Sequence, residues 1–173
     1  MKIFINPGHH ITLDSGAVNP VTGDREVDIA IETAELVKGY LLAAGVECIV
    51  GQYNELQEIC DASNAYDADV FVSIHCNACE SHEARGTETY YKSFSGQHLA
   101  SCIQSQIIRS IAMIDRGVKE GNLYVLKHTE AVAALVELGF IDNMDDLAML
   151  KDNTDTFARA IARGITDYQQ LPQ

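Results

Sequence analysis

The chain alternates between short apolar runs and longer stretches whose apolar residues recur every three or four positions. Residues 2–6, KIFIN, predict a first strand, and Pro7-Gly8 breaks it. Residues 11–24 have no repeat and are rich in Gly, Asp, Asn, Pro and Thr, which predicts a loop over the surface. From Glu26 onward Val27, Ile29, Ala34, Val37, Leu41 and Ala44 trace one helical face, with Asp24 as the expected N-cap and Gly45 as the stop. Strands are predicted at 46–50, 69–75, 86–91, 123–126 and 132–137. Helices are predicted at 55–67, 96–114, 144–150 and 157–168, with a turn at Asp115-Arg116-Gly117. Strands and helices alternate throughout 1–173 with no linker or repeat. The expectation is therefore a single α/β domain, three-layered, with a mostly parallel sheet and helices on both faces.

Composition narrows the function without changing that picture. A chain of 173 residues, 47% of them hydrophobic, can bury one sizeable core. No apolar run approaches the roughly 18 residues of a membrane span, so no membrane insertion is expected. The net charge of −13, from 25 acidic and 12 basic residues, argues against a nucleic-acid partner. No basic segment followed by an apolar stretch and a cleavage site opens the chain. Cytosolic synthesis with separate export and a trimmed chain both fit that beginning. The five cysteines are odd in number and fall mostly in predicted elements, which does not describe a disulfide framework. Cys76 and Cys79 have C-x-x-C spacing. No second pair completes a four-cysteine zinc site, so they read as two small residues after a strand.

Ligands of open α/β sheets gather outside the carboxyl ends of the strands. His9 follows the first strand, His75 ends the run Val70–Ile74, Glu137 ends the last strand, and Glu26 opens the first long helix. Two imidazoles and a carboxylate are the ligand set of a catalytic zinc with an open position, and a further carboxylate serves as the general base of zinc hydrolysis. The four are scattered, with no H-E-x-x-H to bind them together. Taken singly, Glu26 also reads as an acid favoured by the helix dipole, and each histidine as a structural one.

The segments 6–10 (NPGHH), Glu26 at a helix start, 68–78 (ADVFVSIHCNA), 86–91 (GTETYY), 116–119 (RGVK) and 134–143 (ALVELGFIDN) resemble, in order, the zinc-dependent N-acetylmuramoyl-L-alanine amidases. These are hydrolases of the bacterial cell wall, and the resemblance runs from residue 3 to about residue 165. It implies a twisted six-stranded sheet. It also implies one Zn²⁺ per chain held by His9, Glu26 and His75, with Glu137 as the catalytic carboxylate. The implied reaction is hydrolysis of the amide between the lactyl group of N-acetylmuramic acid and the L-alanine of the peptidoglycan stem peptide. The implied partner is peptidoglycan, and the expected place of action is the wall, in the periplasm or outside the cell. The chain departs from the family pattern where His10 stands for a glycine, Cys60 for an arginine and Ala131 for a proline. There is no room between His75 and Glu137 for the inhibitory helical insertion of some relatives, so an open groove is expected.

Four further residues are candidates for substrate contact. Asn77 follows His75 closely, and His10 adjoins His9. His128 is expected at the end of the strand before 132–137, and Arg116 at a helix end. Each also has a plainer role, as a turn, loop or cap residue. A monomer is expected. Two other functions remain: a related zinc hydrolase of carboxypeptidase type acting on another amide, and a non-catalytic wall-binding relative. The latter predicts loss of a ligand or of the base, and all four residues are present.

Overall fold

The computed structural model describes residues 1–171. Six strands form one sheet in the order β2-β1-β3-β6-β4-β5. They are β1 (Lys2–Pro7), β2 (Glu47–Val50), β3 (Val70–Asn77), β4 (Thr87–Tyr91), β5 (Asp115–Glu120) and β6 (Val132–Phe140). β1, β2, β3 and β6 run parallel, whereas β4 pairs antiparallel with β6 and parallel with β5. The carboxyl ends of β1, β3 and β6 therefore share a rim with the beginnings of β4 and β5.

The helices are α1 (Glu26–Ala43), α2 (Leu56–Ala65), α3 (Phe94–Ser110), α4 (Tyr124–His128), α5 (Met144–Asp152) and α6 (Thr154–Gln169). Alternation along each strand sorts side chains between two faces. Ile3 and Ile5, Val70, Val72 and Ile74, and Ala134, Val136 and Leu138 join the main core, which residues of α1, α3 and α6 complete. Phe4, Phe71, Ala133 and Leu135 point the other way. There they pack on Ile59 and Cys60 of α2 and on Val125 and Leu126 of α4. α2 and α4 are short, so this second layer covers only part of the sheet. None of the helices is long and apolar enough to cross a membrane among the described residues.

The α/β architecture agrees with the sequence expectation, and three local readings are corrected. Residues 123–126 were expected as a strand, but Tyr124–His128 is a helix whose Val125 and Leu126 enter the second core. A four-residue apolar run does not distinguish the two conformations, and tertiary packing decides. The remaining strand is Asp115–Glu120, expected as a turn. It lies at the sheet edge, where charged residues replace the apolar run of a central strand. His128 accordingly ends a helix and not a strand, and Arg116 stands in a strand and not at a helix end. The N-cap of α1 is Arg25, without a side-chain capping bond; Asp24 pairs with Lys151 instead.

Candidate metal centre and active site

β1 delivers His9 through a tight exit. The Gly8 N–H donates to the Ile74 carbonyl (2.8 Å), which pulls the turn against β3. A Cβ on Gly8 would fall 2.3 Å from Cε1 of His75, so only glycine admits the two histidine-bearing segments this close together. His9 itself sits at φ 65°, an uncommon backbone state for a residue with a side chain. The bridge between His10 and Asp14 holds the turn that imposes it.

α1 starts where the loop folds back, with the Glu26 N–H donating to the Ala17 carbonyl (2.8 Å). This projects the Glu26 side chain, only 5% exposed, between the two imidazoles. Its Oε2 lies 3.1 Å from Nε2 of His9, and its Oε1 lies 2.9 Å from Nδ1 of His75. The backbone N–H groups of Ala17 and Cys76 donate to the same carboxylate at 2.9 and 3.0 Å. The imidazoles stand edge to face, 5.1 Å apart, and reach solvent, with side chains 25% and 21% exposed. One donor atom each from His9, Glu26 and His75 lies within 4.8 Å of the others, a grouping that can hold a metal ion.

Electrostatics supports one shared function for this trio. The hydrogen bond to Glu26 raises His9 to about 9 against the opposing effect of burial, with Asp14 adding to the rise. Burial pushes Glu26 up, but the bonds to His75 and His9 outweigh it and bring the carboxyl down to about 2. Without a cation, a proton on His9 offsets the charge of the buried Glu26 carboxylate. The role of Asp14 is not evident in the sequence pattern: its Oδ2 lies 2.7 Å from Nδ1 of His9. An Nδ1–H donated to Asp14 would leave the Nε2 lone pair free for an ion held together with Glu26 and His75, the arrangement common behind metal-bound histidines.

Glu137 faces His75 across the β3–β6 pair. Its Oε2 is shut off from solvent and has no hydrogen-bond partner among the described residues. Burial raises this carboxyl to about 7, and the charges of Glu26 and Glu88 push the same way against His75. A buried carboxylate oxygen without a hydrogen-bond partner, beside a His-Glu-His trio, suits a metal site with an adjoining proton acceptor. The residues present therefore fit a zinc ion.

The other candidates are placed as follows. Asn77 donates from Nδ2 to Oε1 of Glu88 (3.0 Å), one strand beyond Glu137. His10 turns to Thr12, with Nδ1 3.3 Å from the hydroxyl. His128 stacks on Tyr124, a residue of the cavity wall beside the histidines, and its backbone carbonyl accepts from Nδ2 of Asn64 (3.3 Å). Arg116 binds the buried carboxylate of Glu88 through Nε at 2.6 Å. Glu88 escaped the sequence reading, although alternation along Thr87–Tyr91 does put it on one face with Tyr90. On the other side of the histidines a cavity of about 360 Å³ opens, walled by Tyr53, Leu56, Ile59, Tyr124, Val125 and Leu135.

Fold and site together define an α/β protein whose sheet rim carries a His-Glu-His group able to hold a metal ion. The sequence pattern of the N-acetylmuramoyl-L-alanine amidases matches residues 3–167, and the chain belongs to that family. It is 35% identical to the N-acetylmuramoyl-L-alanine amidase LytC of Bacillus subtilis, over 96% of this chain and 35% of LytC. It is 38% identical to the uncharacterized protein YqiI of the same organism, over 96% of this chain and 84% of YqiI. Among solved structures, the N-acetylmuramoyl-L-alanine amidase AmiC2 of Nostoc punctiforme superposes with a TM-score of 0.93. The identity is 31%, over 99% of this chain and 98% of that one. The chain thus spans about a third of LytC, and nearly the whole of the solved AmiC2 chain.

Proposed function

We propose that this chain is a zinc-dependent N-acetylmuramoyl-L-alanine amidase. It cleaves the amide between the lactyl group of N-acetylmuramic acid and the L-alanine of the stem peptide, and it acts on the cell wall. The observation that carries the reading is the meeting of His9, Glu26 and His75 around one point, with the unpartnered oxygen of Glu137 beside it. Family membership supplies the substrate class.

His9, Glu26 and His75 hold the ion. Zinc supplies Lewis-acid polarisation of the amide carbonyl and lowers the pKa of water at the site. Asp14 keeps Nε2 of His9 free of its proton by accepting from Nδ1. Glu137 takes a proton from the water that adds to the carbonyl carbon and passes it to the amide nitrogen as the C–N bond breaks. The products are the muramic acid carboxylate and a stem peptide with a free amino group on L-alanine. A carboxyl held near neutrality by burial suits a group that must both accept and return a proton.

Two measurements test this. Metal analysis is expected to find about one zinc per chain. Digestion of purified peptidoglycan is expected to release N-terminal L-alanine, to stop on chelation and to resume when zinc is added. Release of a carboxy-terminal amino acid with no new L-alanine amine would refute the assignment.

A further inference from the structure

Arg116 and Lys119 lie three residues apart on β5, and in a regular strand they would point to opposite faces. They do not, because β5 carries one extra residue. Thr87 pairs with Asp115, but Thr89 pairs with Val118, so two residues of β4 are matched by three of β5. Gly117 sits at the irregularity with φ 76°, the left-handed state that a glycine bulge requires. Its N–H is held by Oδ1 of Asp115 at 2.9 Å. The bulge turns both cations to the same side, and both bind Oε2 of Glu88.

Glu88 is 2% exposed and fully engaged. Its Oε1 accepts from Asn77 and from the Tyr90 hydroxyl (3.0 and 2.8 Å), while its Oε2 takes both cations. One carboxylate between two cations leaves one positive charge over, in a protein whose net charge is −13. Among the described residues Lys119 has no other partner, and the remaining contacts of Arg116 are the Arg85 carbonyl (3.4 Å) and the face of Phe140. The two side chains are 33% and 37% exposed, so both are partly open to solvent.

Glu88 pairs directly with Glu137 across β4 and β6. The uncompensated charge therefore lies one to two strand spacings from the proton-transfer group, roughly 5–10 Å. An extended peptide advances about 3.4 Å per residue, so this span covers one to three residues. On the opposite side of the histidines the cavity wall contains no lysine or arginine. The two sides of the scissile bond thus face a cationic ledge and a largely apolar recess.

We propose that Arg116 and Lys119, set side by side by the Gly117 bulge, form a carboxylate-binding subsite for the stem peptide. The subsite takes a free carboxylate one to three residues beyond the scissile amide and directs the leaving peptide toward β5. This rests on the amidase reading above and adds the direction and charge preference of the substrate. The planar fork of Arg116 and the point charge of Lys119 both suit a carboxylate. Repulsion from Glu137 keeps that carboxylate out of the reaction centre.

The test uses the zinc-loaded chain and soluble muramoyl peptides of two kinds, with free or amidated carboxylates on the second and third stem residues. Wild type is expected to prefer the free acid in kcat/KM by roughly tenfold, the value of one hydrogen bond to a charged group. Lys119→Gln leaves Glu88 paired with Arg116, and Arg116→Lys keeps the charge while removing the fork. Lys119→Gln is expected to bring the preference close to one by raising KM for the acid, and Arg116→Lys to lower it less. Equal rates of wild type on both compounds overturn the subsite, as does an equal loss on both compounds in Lys119→Gln, which marks a purely structural role. Cleavage of neither compound by wild type overturns the amidase reading itself and the subsite with it.

Discussion

The two faces of the sheet are built from the same strands and have opposite fates. On the face under α1, α3 and α6, β3 places Val70, Val72, Ile74 and Cys76, all buried in one apolar core. On the other face the same strand places Phe71, Ser73, His75 and Asn77. β1 does likewise with Phe4 then Asn6, and β6 with Leu135 then Glu137. Along each strand the second face starts apolar, under α2 and α4, and turns polar where those short helices stop. Long helices leave no room for a water-seeking side chain, whereas a half-covered face can keep histidines and carboxylates ordered and within reach of solvent. The period-2 alternation of the strands thus separates stability from chemistry within a single sheet.

This comparison is most severely tested by substitutions that break one face alone. Glu137→Gln on the open face is expected to lower kcat by about 10²–10⁴, the usual worth of a general acid–base group. The protein should remain folded and loaded with zinc, since Gln keeps the shape and Glu137 is not one of the three proposed ligands. Retained digestion of peptidoglycan would remove Glu137 from the mechanism. Phe157→Ala on the covered face is expected to do the reverse. Phe157 is fully buried in the main core, and its truncation costs about 3–5 kcal/mol of unfolding free energy. Denaturant midpoints should fall while kcat/KM per folded molecule stays unchanged. A variant that lost activity and kept its midpoint would mean that the faces are not independent.

The covered face was the more legible in sequence. The residues of β1, β3 and β6 are apolar whichever way they point near their starts, and that continuous pattern identifies central strands. β5 was missed because Asp115-Arg116-Gly117 is charged and bulged, so an edge strand looks like a turn. α4 was misread because its two buried residues, Val125 and Leu126, are adjacent and carry no period. At the site, His9, Glu26, His75 and Glu137 stand out through family motifs, and the structure brings them together. Asp14 and Glu88 are different. Their roles depend on contacts with His9 and with Arg116 that no spacing encodes, and an acid in a loop or an alternating strand looks solvated.

Asp14 offers a finer test on the open face. Replacing it by Asn keeps the size but removes the charge that accepts from Nδ1 of His9. Metal affinity is expected to fall about 10–100-fold, as for other groups that orient a ligating histidine. Competition with a zinc chelator reads this directly. Midpoints of the zinc-loaded protein at saturating metal should hardly move, because Asp14 is half exposed and packs into neither core.

The smallest expected effect is on the pH dependence of the metal-free protein, and its sign follows from the shifts. Glu137 rises from 4.5 to about 7 on folding, so the unfolded chain ionises first and stability falls as pH climbs between those values. His9 rises from 6.5 to about 9, so its contribution is complete below 6.5 and is lost as pH passes through about 9. Glu26 falls from 4.5 to about 2, so its contribution is complete above 4.5 and is lost as pH falls from there through about 2. Thermal midpoints of the metal-free chain should therefore decline from about pH 5 to pH 9 in two overlapping stages. Glu137→Gln should erase the lower stage and leave the upper one, whereas Phe157→Ala should shift the whole curve down without changing its shape. If Glu137→Gln flattened neither stage, the burial of that carboxyl would not govern its protonation, and its place on the open face would need another explanation.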